Sequence, residues 1–144
     1  MIVLDTSVIY ALLDASDSHH AEALGWYERV DSELVTTPLV LAEADHLALS
    51  RGGDVAARSF RSDVRRMAYR AEWWPSAAAQ ATDIADRYET LGLGLTDASL
   101  VALAARVQTI DIATFDERHF RVVTPLTGGP AFRILPTDSI GPLR

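Results

Sequence analysis

The chain has 144 residues and a mass of 15.7 kDa, 49% of them hydrophobic and 23% charged, the composition of one folded domain spanning residues 1–144 that buries ~70% of its unfolded surface. It contains no cysteine, and all 13 basic residues are arginine, which excludes disulfide scaffolds, thiolate metal sites, thiol nucleophiles, P-loops and Schiff-base chemistry. A net charge of -7 argues against a nucleic-acid partner unless basic charge is concentrated locally.

Met1-Ile2-Val3-Leu4 is a short apolar run of the kind that forms a strand buried on both faces. Asp5 ends it too soon for a signal-peptide core, and no apolar stretch approaches the ~20 residues of a membrane helix, so a cytoplasmic protein is expected. Val8 to Leu13 reads as a helix, and His19 to Val30 as a second one with Ala23, Trp26, Tyr27 and Val30 on one face. Leu34-Val35-Thr36-Thr37 has the β-branched content of a strand. Pro38 suits the first turn of a helix to about Ser50, closed by Gly52-Gly53.

Asp54 to Arg70 predicts a further, arginine-rich helix, and Glu72-Trp73-Trp74-Pro75 a short strand. The two tryptophans divide into one core and one rim residue. Ser76 is placed to cap a helix to about Leu91, and Leu91-Gly92-Leu93-Gly94-Leu95 makes a loop. A helix from Thr96 to near Arg106 follows, then a strand over Thr109–Thr114. Thr127-Gly128-Gly129-Pro130 is a turn, and Ala131–Leu135 a last strand before a frayed tail. This alternation predicts an α/β/α sandwich of three layers around a mainly parallel sheet.

Ligands of such sheets collect beyond the carboxyl ends of the strands. Asp5 follows the first strand, Asp116 follows the Thr109–Thr114 strand, and Asp97 opens a helix, so all three can reach one sheet edge. Leu39, Glu43 and Leu47 are spaced by four on one helical stripe, which sets a carboxylate among apolar residues. An arginine or a divalent cation has to meet it there. Each aspartate taken singly also serves as helix-start or turn chemistry; the four acids converging at one edge are harder to explain that way. His46 is expected to be half-buried near Glu43, His19-His20 to face solvent, and His119 to pack in a turn. No His-Glu-x-x-His spacing or Gly-x-Ser-x-Gly elbow is present.

Carboxylates without histidine or cysteine form a hard-oxygen site that selects Mg²⁺ or Mn²⁺. Such an ion completes its shell with phosphate oxygens, so the implied reaction is phosphodiester hydrolysis by an activated water. A carboxylate not fully engaged in coordination takes the proton.

Four segments in register, Val3-Leu4-Asp5-Thr6-Ser7-Val8-Ile9, Pro38-Leu39-Val40-Leu41-Ala42-Glu43, Leu95-Thr96-Asp97-Ala98-Ser99, and Ile112-Ala113-Thr114-Phe115-Asp116 with His119-Phe120, resemble the PIN-domain family, in particular its VapC-type toxins. The resemblance implies an acidic quartet of Asp5, Glu43, Asp97 and Asp116 binding Mg²⁺ or Mn²⁺, supported by the hydroxyls of Thr6, Ser7 and Thr114. It implies endoribonuclease activity on structured RNA such as tRNA or ribosomal RNA. It also implies a VapB-like antitoxin partner and a homodimer joined into a toxin–antitoxin hetero-oligomer. The segment Thr127–Pro130 departs mildly from the family by lengthening the path to the final strand.

Arg51, Arg58, Arg61, Arg65, Arg66 and Arg70 face only Asp54 and Asp63 within their stretch of chain. This local basic helix answers the charge objection if it binds a phosphate backbone; a solvated face or an antitoxin-contacting surface remains open. A DNA nuclease of the same fold and a non-catalytic binding module are the alternative functions.

Overall fold

The computed structural model describes residues 1–139. Its centre is β1 (Ile2–Leu4), three residues buried without exception. A strand can be apolar on both faces only inside a sheet covered on both sides, and β1 lies in the middle of five parallel strands. These are β2 (Leu34–Thr36), β3 (Arg70–Ala71), β4 (Asp111–Ala113) and β5 (Arg133–Leu135), in the order β3-β2-β1-β4-β5. Val3 pairs with Val35 on one side and Ile112 on the other, and Ile112 with Ile134. The expected α/β sandwich around a parallel sheet is therefore the observed architecture.

Helices α1 (Thr6–Leu13), α2 (His20–Arg29), α3 (Pro38–Arg65), α4 (Ala77–Arg87), α5 (Leu95–Arg106) and the short α6 (Glu117–Phe120) connect the strands. α5 is the most enclosed, with seven consecutive buried residues from Ala98 to Ala104. None of the described helices is long and apolar enough to cross a membrane.

Several boundaries differ from the sequence reading; the helix expected to reach Arg70 ends at Arg65, and the strands expected over Thr109–Thr114 and Ala131–Leu135 are Asp111–Ala113 and Arg133–Leu135. The expected close at Gly52-Gly53 is a kink: Gly53 has φ 71° and ψ -166°, a conformation open to glycine, and helical geometry resumes at once toward Arg65. The third strand is Arg70–Ala71 rather than Glu72–Pro75; beyond it only the Glu72 amide continues the ladder, to the Thr36 carbonyl at 2.9 Å. Trp74 is buried and Trp73 exposed, as expected, but both follow the strand. Ser76 caps no amide; its hydroxyl instead accepts from Gln80 Nε2 at 3.2 Å, and α4 stops at Arg87 before a 3₁₀ turn at Glu89–Leu91.

The tail expected to fray falls partly at residues 140–144, outside the described residues. Before that point it is pinned. The Asp138 carboxylate accepts from Arg121 Nη1 at 2.7 Å and from the Ile134 amide at 2.8 Å.

Candidate active site

Strand order decides where a cleft opens. From β1 the chain proceeds outward to β2 and β3, then returns to the other side of β1 for β4 and β5. The connections leaving β1 and β4 diverge, so a crevice forms beyond the carboxyl ends of these two neighbours. Asp5 is the first residue after β1, and Thr114, Phe115 and Asp116 directly follow β4. A cleft of about 250 Å³ lies there, and its lining includes Asp5, Glu43, Asp97 and Asp116 together with Thr6 and Ser7. All four acids singled out in the sequence thus border one space.

Asp5 caps α1 and is tied down on both oxygens. Its Oδ1 accepts from the Thr6 amide at 2.7 Å, and its Oδ2 from Thr114 Oγ1 at 2.7 Å and Ser7 Oγ at 3.0 Å. The hydroxyls are held in turn, because the Asp116 amide donates to Thr114 Oγ1 and the Phe115 amide to Ser7 Oγ, both at 2.9 Å. This lattice stitches the start of α1 to the end of β4. Burial pushes the Asp5 carboxyl up, and the charge of Asp97 adds to it, to about 6, although the three hydrogen bonds oppose the rise.

Asp97 stands in the first turn of α5. That turn is anchored by Ser99, whose hydroxyl donates to the Thr96 carbonyl at 2.6 Å and accepts from Thr37 Oγ1, the N-cap of α3, at 2.9 Å. His119, expected as turn packing, is buried and holds Asp97: its Nδ1 lies 2.8 Å from Asp97 Oδ2. Arginine can only donate, so the 3.2 Å contact from Arg118 Nη2 makes His119 Nε2 the acceptor and leaves Nδ1 as the donor to Asp97. Sequence gave one signal for this pairing, a histidine three residues beyond Asp116. Its partner lies 22 residues earlier.

Glu43 borders the cleft, but not as the core-facing acid that the sequence led us to expect. The core stripe of α3 is Val40, Ala44 and Ala48, whereas Glu43 is exposed and its neighbours Leu39 and Leu47 only half-buried. It reaches the cleft from the flank of the helix, and the buried carboxylate of the group is Asp5. His46 is exposed on the same helix and is not among the residues lining the cleft. His19 faces solvent as expected, yet it stacks on Phe115 with centroids 4.2 Å apart and also lines the cleft. His20 is half-buried, with Nδ1 2.7 Å from the Ala11 carbonyl.

The basic helix largely dissolves into local pairs. Arg61 meets Asp45, Arg66 meets Asp63, and Arg70 meets Glu33 and Glu72. Of the six arginines only Arg51 lines the cleft.

The donor set is all carboxylate and hydroxyl, which suits a hard divalent ion. Thr6 Oγ1 is buried with no hydrogen-bond partner among the described residues, beside a carboxyl whose charge is disfavoured. Both conditions are relieved by a hydrated cation. Among the described residues no three acidic or histidine side chains are gathered closely enough to ligate one ion directly. An ion that keeps several waters and takes one or two carboxylates needs no such cluster.

With this geometry, the comparisons with known proteins agree. The PIN domain family model matches residues 2–124. The chain belongs to the PIN-domain family. Within that family it is similar to ribonuclease VapC26 of Mycobacterium tuberculosis, 32% identical over 136 residues that cover 94% of this chain and 100% of the relative. In fold it is similar to the crystal structure of Mycobacterium tuberculosis VapC20, a sarcin–ricin-loop-cleaving toxin, with a TM-score of 0.75 and 24% identity over 81% of this chain and 91% of that one. The VapC-type resemblance carried by the four segments is thereby borne out.

Proposed function

We propose that this chain is a Mg²⁺- or Mn²⁺-dependent endoribonuclease, the toxin of a type II toxin–antitoxin pair, which hydrolyses a phosphodiester bond in structured RNA such as tRNA or ribosomal RNA. In this reading residues 1–144 form a single PIN-like domain that works in the cytoplasm, associates as a homodimer and is restrained by a VapB-like antitoxin. The likeness to a ribonuclease along 94% of the chain supports the reaction class.

The observation that carries the proposal is Asp5, a carboxyl raised to about 6 by burial and by Asp97, with hydroxyls and an amide around it but no arginine. Asp5, Glu43, Asp97 and Asp116 would hold the hydrated ion between them, one or two as direct ligands and the others as acceptors for its waters. When bound, such an ion supplies Lewis acidity toward phosphoryl oxygens and makes a water easier to deprotonate. Ser7 and Thr114 fix the rotamer of Asp5, and the buried Thr6 hydroxyl beside it has no partner among the described residues. His119 engages Oδ2 of Asp97 and leaves Oδ1 without a donor among the described residues. The Asp116 carboxylate accepts no hydrogen bond there, so it is free to take a proton from an attacking water.

The test is to map new RNA 5′ ends after brief expression of the parent and of Asp97→Ala. A defined end produced by the parent alone is expected, and it identifies the RNA as well. Absence of any carboxylate-dependent end, together with no Mn²⁺ uptake by the parent, would instead select the non-catalytic module. Cleavage confined to DNA would select the DNA nuclease.

A further inference from the structure

We propose that Arg51 anchors a backbone phosphate flanking the scissile one, holding an RNA strand across the cleft. This rests on the ribonuclease reading above. Glu43, Leu47 and Arg51 are spaced by four on α3, and all three line the cleft. They form one stripe, on which Arg51 stands two turns, about 12 Å along the axis, beyond Glu43. A strand whose reacting phosphate lies among the acids must pass this side chain if it runs along α3.

Arg51 differs from Arg58 and Arg65, which are likewise without an ion pair among the described residues, in lining the cleft, and from the remaining three in being unpaired. Arg61, Arg66 and Arg70 are each spent on a carboxylate, whereas Arg51 forms no ion pair among the described residues although five acids line its cleft. Its guanidinium carbon sits 5.0 Å from the centroid of the Tyr10 ring. The Tyr10 hydroxyl in turn donates to Asp14 Oδ2 at 2.7 Å. A cation stacked on an aromatic face keeps its N–H edge free for an anion. The stack orients the guanidinium, one donor of which is shared with the Tyr10 hydroxyl, and leaves the other N–H groups for an anion.

Position supplies the remaining argument. Tyr10 and Arg51 line both the acidic cleft and a neighbouring cavity of about 180 Å³. That second cavity is walled in part by Leu13, Ala48, Gly52 and Ala56. A Cβ at Gly52 would lie 2.5 Å from the Ala56 Cβ, so the wall is close-packed where the helix approaches its kink. Arg51 thus stands at the seam between the site of chemistry and a second cavity of mixed lining, to which Asp14 and Ser16 also contribute.

The test measures both binding and cleavage. A 5′-fluorescein-labelled 20-nucleotide single-stranded RNA is titrated by anisotropy in EDTA, from 0.1 to 1 M NaCl, with parent, Arg51→Ala and Arg51→Lys. Loss of one phosphate contact from single-stranded RNA lowers the slope of log K against log salt by about 0.7, a fivefold weaker affinity at 0.1 M that vanishes near 1 M. Arg51→Ala is expected to show both changes. Arg51→Lys should keep the parent slope and recover part of the affinity, since it keeps the charge and loses the planar fork. On an oligonucleotide spanning the mapped cleavage site, Arg51→Ala should raise KM and leave kcat within about twofold.

Equal RNA affinity and salt slope for parent and Arg51→Ala would overturn the assignment of Arg51, whether or not the parent cleaves. So would unchanged RNA binding with loss of a co-expressed antitoxin, which would make Arg51 a protein contact. A parent that binds RNA through Arg51 yet cleaves none leaves this inference standing and removes the ribonuclease reading. A parent that binds no RNA removes the Arg51 assignment.

Discussion

Asp45, Asp111 and Asp138 on the outer surface each meet an arginine, at 2.6 Å from Arg61, 2.5 Å from Arg133 and 2.7 Å from Arg121. Asp5 and Asp116, beyond β1 and β4, meet none among the described residues, and neither does Glu43 on the flank of α3. Both groups are carboxylates of one acidic chain, so composition cannot separate them. Pairing does. Arg121 and Arg61 lower the carboxyls of Asp138 and Asp45, while burial and Asp97 push Asp5 up to about 6. The outer acids are already neutralised in place, and the cleft acids carry charge that only something from outside can relieve. Fold stability and ion affinity oppose one another at Asp5, and the contrast between the two regions predicts how each responds to substitution.

The largest effect is expected from Asp5→Asn, and from Asp97→Asn beside it. Each should lower kcat/KM on the mapped RNA by about a thousandfold or more, because an ionic ligand is lost while volume is kept. Stability should move the other way at Asp5. Its carboxyl is pushed up to about 6 from the ordinary 3.8 of the unfolded chain, so between those values the native state binds more protons and stability falls as pH rises. The deficit is complete above pH 6, of order 2–3 kcal/mol, and absent below pH 4. Metal-free Asp5→Asn should therefore melt higher than the parent at pH 7.5 and with it at pH 3.5, and millimolar Mn²⁺ should raise the melting temperature of the parent alone. A parent indifferent to both pH and Mn²⁺ would erase the distinction between the two groups of acids.

Glu43→Gln tests the exposed side of the same cleft. Because Glu43 bears no packing load, its melting temperature should stay at the parent value while cleavage at millimolar Mg²⁺ falls about a hundredfold. Retained cleavage would remove Glu43 from the ligand set.

Much of this site could be read from the sequence because strand ends are easy to find. Asp5 and Asp116 directly follow or closely trail apolar strands, and the parallel order then brings them together whatever the packing details. Glu43 was reached through the leucines four residues to either side, yet the core stripe runs through Val40, Ala44 and Ala48, since small residues let α3 approach its neighbours closely. Periodicity alone does not say which of two adjacent stripes faces inward. β3 was misplaced by the same limit: two residues on an edge, one of them arginine, carry no alternation, while Trp73-Trp74 beside them look more strand-like. His119 and Arg51 were both noted, as turn packing and as part of the basic stretch, but their contacts were not legible because they depend on Asp97, 22 positions away, and on Tyr10, 41 positions away.

Those longer-range contacts set the next effect down. His119 meets Asp97 and none of the other three acids among the described residues, so its expected role is to orient Asp97. His119→Ala should weaken Mn²⁺ binding and kcat/KM about tenfold to a hundredfold, the usual consequence of losing a hydrogen bond to a ligand. His119→Asn, which keeps a donor near the Nδ1 position, should recover part of both.

The smallest effect belongs to the outer acids. Asp45→Asn breaks a pair whose arginine is half-exposed, where solvent screening leaves little net attraction. Melting temperature, Mn²⁺ affinity and cleavage should all stay at parent values. The same change of one oxygen for one nitrogen would then be silent at Asp45 and decisive at Asp5, which places the difference in the arginine and not in the acid. If Asp45→Asn impaired cleavage as strongly as Glu43→Gln does, the surface pairs would have to be counted as part of the site.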